Sequence, residues 1–133
     1  MTSEELYDLL KKIKHRPGMY IGKKSIINLK VFLDGVLYAV YYMNEQNEST
    51  HFLQGFQEWI QIQYDISSSH HWSSILNFFS SDEAEAFDLF YKRLDEFLSL
   101  GEEASNYKNI LKNKEKWMEL KTEYWSQYDK MNF

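Results

Sequence analysis

Asp82-Glu83-Ala84-Glu85-Ala86-Phe87-Asp88-Leu89-Phe90-Tyr91-Lys92-Arg93-Leu94-Asp95-Glu96-Phe97-Leu98 is the stretch that decides the fold. Phe87, Phe90, Tyr91, Leu94, Phe97 and Leu98 recur at i, i+3, i+4, i+7, i+10 and i+11, the spacing of one face of an α-helix. Ser80-Ser81-Asp82 ends the element before it and supplies an N-cap, because a short polar side chain can accept a hydrogen bond from a free first-turn amide. Asp82, Glu83 and Glu85 then lie where carboxylates meet the positive end of the helix dipole. Gly101 is the natural stop.

Outward from this helix, the same 3.6-residue period runs through most of the chain. Thr2 and Glu5 form a capping-box pattern, opening a helix that buries Leu6, Leu9, Leu10 and Ile13. That helix must end before Pro17, since the residue preceding proline is biased away from α. Pro17-Gly18 fits the central pair of a type II turn. Ser25 is the N-cap of a helix from about 26 to 45, which carries Ile26, Leu29, Phe32, Leu33, Val36, Leu37, Val40 and Tyr41. Apolar residues cover most of its circumference, which predicts a central position. Residues 44–49 are polar and read as a connection. A third helix buries Phe52, Phe56, Trp59 and Ile60 and ends near Asp65, and a fourth buries Trp72, Ile75, Leu76 and Phe79. A last helix, starting at Asn106 or at Lys114, carries Trp117, Leu120, Tyr124, Trp125 and Tyr128. Ile60-Gln61-Ile62-Gln63-Tyr64 alternates like a strand, but a lone strand has nothing to pair with. The reading is an all-α, single-domain bundle of about five to six helices over residues 1–133, with the helix near 26–45 at its centre.

Length supports one core and not two: the chain has 133 residues. Aromatic side chains make up 17% of it, more than a core of this size needs, so some are expected at a contact surface. The absence of cysteine excludes disulfides, thiolate metal sites and a thiol nucleophile, and suits a reducing compartment. The polar, acidic opening Met1-Thr2-Ser3-Glu4-Glu5 is no secretory leader, and the apolar run Val31 to Met43 is interrupted by Asp34 and short for a bilayer. A cytoplasmic protein without a membrane partner is expected. Charge is polarised: residues 1–30 carry seven basic against three acidic side chains, and residues 81–103 carry eight acidic against two basic. Such polarity can steer encounters with charged partners, though a solvated helix face is the commoner cause.

Side chains that carry chemistry do not assemble into a catalytic pattern. His70-His71 are adjacent, about 100° apart on a helix, whereas helical metal ligands stand at i, i+4; capping or solvent exposure is the better reading. Asp95-Glu96 and Glu102-Glu103 are paired carboxylates in hydrophilic surroundings, without the contrast of environments that acid/base work needs. No serine sits in G-x-S-x-G. Gly18-Met19-Tyr20-Ile21-Gly22-Lys23-Lys24-Ser25 falls one residue short of a phosphate loop between its glycines, and Lys24 stands where Ser or Thr belongs. Lys23 and Lys24 beside a helix start could still hold an anion. The basic cluster is too small, and the chain too acidic, for direct nucleic-acid binding. No catalytic, metal or cofactor residue is assigned.

Arg16-Pro17-Gly18-Met19-Tyr20-Ile21-Gly22 resembles the segment that joins a short helix to a long one at the start of gyrase B-type ATPase domains. The likeness stops there. Phe32-Leu33-Asp34-Gly35-Val36-Leu37-Tyr38-Ala39 stands where that family has E-x-x-x-N, and no D-x-G-x-G follows, so no ATP-site residue carries over. A longer order is similar to small bacterial immunity-type proteins of toxin–immunity loci. It comprises the same heptapeptide, then Ser25, Phe32-Leu33-x-Gly35, Phe56-x-x-Trp59, Trp72 and Phe78-Phe79-Ser80-x-Asp82-Glu83-x-x-Ala86-Phe87. It covers about residues 4–98 and implies an inhibitor of a cognate toxin.

The expected function is therefore binding: an immunity protein that neutralises a toxin, a nuclease in one version, by covering its surface. The expected contact residues are Asp82, Glu83, Glu85, Asp88, Asp95 and Glu96, with Trp117 and Trp125 as further candidates. An acidic surface suits a basic nuclease site, and aromatic anchors inside a charged rim supply affinity. The alternative is a helical structural or regulatory module that forms homo-oligomers through the terminal Trp/Tyr-rich helix, so a monomer and a homodimer are both compatible with the sequence.

Overall fold

A computed structural model describes residues 1–43 and 53–101. Among them are six helices and no strand: α1 (Ser3–His15), α2 (Pro17–Ile21), α3 (Ile26–Met43), α4 (Phe56–Gln63), α5 (Trp72–Phe78) and α6 (Glu83–Leu98). The all-α bundle is the one the periodicity predicts. The terminal helix expected beyond 106, with Trp117 and Trp125, and Phe52 lie outside the described residues.

The caps explain the boundaries. Thr2 Oγ1 accepts from the Glu5 amide at 3.1 Å, Ser25 Oγ from the Asn28 amide at 3.2 Å, and Asp82 Oδ1 from the Glu85 amide at 2.7 Å. All three are the positions the sequence marks. The Pro17-Gly18 reading needs correction. These residues do not form a type II turn; Pro17 is the first residue of α2, where its missing N–H costs nothing. The glycine that the backbone requires is Gly22, with φ of 85°. It ends α2, and the Asn28 side chain donates to the free Ile21 carbonyl at 2.9 Å, locking α2 to the first turn of α3.

The core is aromatic. Phe56 on α4 packs edge-on against Trp72 of α5 and against Phe90 and Phe97 of α6, at centroid distances of 5.7, 5.8 and 5.4 Å. Trp72 stacks on Phe90 at 4.8 Å. Leu6, Leu10 and Ile13 of α1 and Ile26, Leu29 and Leu33 of α3 close the other sides. The Tyr91 hydroxyl, on α6, donates to the Leu10 carbonyl at 2.6 Å, and burial holds this phenol protonated far above the usual range. Among the described helices α6 buries the most side chains, six, so it occupies the centre that the hydropathy of α3 suggested for itself.

That expectation for α3 fails for a specific reason. Only Ile26, Leu29 and Leu33 are buried, all on one face of its first half, and Tyr41 lies exposed where core packing was expected. By length and composition α3 is the one described helix apolar enough to cross a membrane. Its inner face, made by Ile26, Leu29 and Leu33, packs on the rest of the protein.

A polar clamp holds the turn between α4 and α5. Gln57 donates to the His70 carbonyl at 2.8 Å and accepts from the Trp72 amide at 2.7 Å. One helical turn on, the buried Gln61 donates to the Ser68 carbonyl at 2.7 Å. His71 caps α5: its Nδ1 accepts from the Ser73 amide at 3.2 Å and lies 2.9 Å from the Ser73 hydroxyl.

Two tests follow from this packing. Phe56→Ala is expected to cost about 3–5 kcal/mol, a large share of the stability of a domain this size, and to be read by urea denaturation. His71 makes stability pH-dependent. Burial first, then the Lys30 charge on α3, lower its pKa below the ordinary 6.5, against a smaller opposing pull from Asp34. Just below pH 6.5 the unfolded chain therefore binds more protons than the folded one. This contribution is fully present above that pH and is lost as pH falls toward the folded pKa. In His71→Asn, which keeps a capping side chain, the fall in urea midpoint between pH 7 and 5 should be shallower than in the parent chain.

Candidate protein-binding face

The six acidic residues expected to meet a partner all belong to α6 or its cap, but they are not equivalent. Glu83 pairs with Lys23 at 2.5 Å and Asp88 with Lys24 at 2.6 Å. These two bridges join the acidic and basic ends of the sequence, so part of the charge polarity is spent inside the fold. They also engage Lys23 and Lys24, the two lysines that the sequence offered as an anion site ahead of α3. Glu96 is gripped by Arg93 at 2.8 Å. Asp82 caps α6, and Glu85 accepts hydrogen bonds from the Ser81 hydroxyl and amide. Among the described residues Asp82, Glu85 and Asp95 have no counter-cation. Removing salt-bridged charge weakens long-range steering but leaves short-range complementarity intact.

Beside these acids lies a feature that sequence reasoning missed. Phe79, expected in the core, is 49% exposed. It follows α5 and lies against Tyr64, which follows α4, with ring centroids 4.7 Å apart and planes 30° from parallel. The pair lines a depression of about 460 Å³, together with Leu89, Glu85, Asp88, Lys92 and Arg93 on the outer side of α6. Arg93 fixes its wall. The guanidinium sits over the Tyr64 ring at 5.4 Å, its Nε donates to the Tyr64 hydroxyl at 2.9 Å, and its Nη1 holds Glu96. Burial opposes the Arg93 charge, and the hydrogen bonds to Glu96 and Tyr64 outweigh that effect, raising its pKa. The arrangement is an aromatic floor with a rim of both charge signs.

The miss has a readable cause. Phe79 stands at i+3 from Leu76 and i+4 from Ile75, which predicts the core face. However, only Trp72, Ser73, Ile75 and Leu76 of α5 reach the core, and Phe79, at the helix C-cap, meets the Tyr64 ring at the surface. The Phe78-Phe79 doublet was itself a signal, because a seven-residue helix cannot hide both of two adjacent rings.

The two adjacent histidines make local contacts. His70 Nδ1 lies 2.5 Å from the Ser68 hydroxyl, and His71 is committed to its cap. Among the described residues no three His, Asp or Glu side chains gather as metal ligands would. Trp117 and Trp125 fall outside the described residues, so the face is built from Tyr64, Phe79, Leu89 and the α6 charges. No protein-family model, curated protein or solved structure matches this chain.

Proposed function

We propose that this chain is an immunity-type inhibitor, which neutralises a bacterial protein toxin in the cytoplasm by covering its working surface. The single observation that carries this reading is the Tyr64–Phe79 floor within the charged rim of α6. Interfaces draw most of their energy from a few aromatic or arginine anchors in desolvated pockets, ringed by polar residues that exclude water. A depression of this kind on a small chain suits one protruding side chain of a partner. Asp82, Glu85 and Asp95 suit a basic partner surface, as at a nuclease active site, and their role is complementarity at contact. The longer sequence resemblance, from about residue 4 to 98, points the same way.

A homo-oligomeric helical module is the second reading, favoured by the exposed apolar side of α3. It predicts a concentration-dependent mass in light scattering, which the inhibitor reading does not require.

Co-expression with the toxin encoded beside its gene tests the proposal. The chain should restore growth, and the purified pair should form a stable complex. Phe79→Ala should weaken that complex by about ten-fold or more, and Glu85→Arg should slow its formation at low salt, with both variants melting close to the parent. Rescue and binding untouched by either change would overturn the assignment of this face. Failure of the parent chain to rescue would overturn the function.

A further inference from the structure

The side of α3 turned away from the core has two halves that complement one another. The first half, with Ile27 and Val31, borders a groove of about 420 Å³ between α3 and α5. The groove is apolar along Ile27, Val31 and Phe78 and polar along His71, Ser74 and Asn77. The second half carries Tyr38, Tyr41 and Tyr42, whose rings form one cluster with centroids 4.5 and 5.2 Å apart. A tyrosine has the same duality as the groove, an apolar ring and a polar hydroxyl tip. Midway between the halves stands Gly35, on the exposed side. Glycine is the least favourable helix-interior residue after proline, and a Cβ at Gly35 would meet nothing within 4 Å, so packing among the described residues does not call for it. The close approach of a second backbone does.

We propose that a second copy of this chain covers this face, the two α3 helices lying antiparallel about a two-fold axis at Gly35. This rests on the homo-oligomeric reading and gives it a surface and a symmetry. Ile27, Val31, Gly35, Ala39 and Met43 form one row of every fourth residue, the ridge along which helices pack. The axis sets this row against itself in reverse, Ile27 of one copy beside Met43 of the other and Val31 beside Ala39. The same reversal brings Tyr38 and Tyr41 of each copy to the level of residues 29–32 of the other, over its groove. Their rings then meet Ile27, Val31 and Phe78, and their hydroxyls meet the polar wall. The area suits a stable pair. Tyr38, Tyr41, Tyr42 and Phe78 are 52–79% exposed. Rings of this size cover about 150–250 Å² each, so the four offer about 500 Å² to a partner. Ile27, Val31 and Met43, also exposed, bring the face near the roughly 800 Å² per partner that a standard interface buries. An anionic bilayer suits it less, because Lys30, the cation beside the groove, is engaged by Asp34 at 2.6 Å and the chain carries a net charge of −5. The groove shares no lining residue with the Tyr64–Phe79 depression, so the two surfaces are separate.

Light scattering of the full chain from about 1 to 100 µM reads the pairing as a mass that doubles with concentration. The parent should be a dimer at the upper end of this range. Val31→Asp and Gly35→Lys, both at exposed positions, should weaken the dimer about ten-fold or more, and Phe79→Ala should leave it unchanged. Gly35→Lys decides alone if Val31→Asp loses the parent's helical circular dichroism, since its added side chain enters open space. The chain has no cysteine, so introduced thiols report the geometry. A mixture of Ile27→Cys and Met43→Cys chains should cross-link through a short bismaleimide, and neither variant alone should. A parent that stays monomeric over this range would overturn the inference and the homo-oligomeric reading together. A dimer that both substitutions leave intact, or one in which each thiol variant links to itself, would overturn the inference and leave that reading standing. Sedimentation of a monomeric parent with phosphatidylglycerol vesicles would overturn it in favour of a lipid surface.

Discussion

The structure depends on the burial of Phe56. Its ring meets Trp59 on its own helix, Trp72 on α5, and Phe90 and Phe97 on α6, and it is 1% exposed. Edge-on contacts place the positive rim of one ring on the negative face of another, so each neighbour has a preferred tilt as well as a preferred distance. That directionality lets two short helices, of eight and seven residues, hold fixed positions although neither would persist alone in water. The polar clamp made by Gln57 and Gln61 completes the arrangement. Once α4 and α5 are set on α6, Tyr64 and Phe79 emerge side by side at the end of each helix. The candidate contact face is thus a by-product of where the core ends.

Electrostatics does the second part of the positioning. Lys23 and Lys24 follow Gly22 and reach Glu83 and Asp88 near the start of α6. Each bridge is partly exposed and worth little alone, about 1 kcal/mol or less. Their effect is geometric: they bring the Pro17–Gly22 region and the start of α3 onto the first turns of α6. The pairing also tempers the charge polarity of the sequence. A strip that looks strongly acidic when counted along the chain is, in space, a mixed rim in which, among the described residues, Asp82, Glu85 and Asp95 have no counter-cation.

Much of the fold was legible because caps and periodicity are local. Thr2, Ser25 and Asp82 each announce a helix start, and Leu6, Leu10, Ile13, Phe56, Ile75, Phe87, Phe90 and Leu94 sit on the faces their spacing assigns. What was not legible depends on contacts distant in sequence. Hydropathy alone made α3 look enclosed, since it reports how apolar a helix is and not how many neighbours arrive to cover it. Pro17-Gly18 satisfies both a type II turn and the first turn of a helix, and only the hydrogen bond from Asn28 to Ile21 and the left-handed Gly22 distinguish them. For the site, the α6 acids were visible as a run. Their pairing with Lys23, Lys24 and Arg93 was not, nor was the partnership of Tyr64 with Phe79 across fifteen residues.

The central claim is that this chain works through contact, on the face where α6 meets Tyr64 and Phe79. Amide exchange mapped on the isotope-labelled chain, before and after addition of the neighbouring-gene toxin, measures that footprint directly. The account predicts new protection over residues 79–96 and around Tyr64, with the first half of α1 unchanged. Protection confined to α1 or α3, or chemical turnover by the chain on its own, would contradict it.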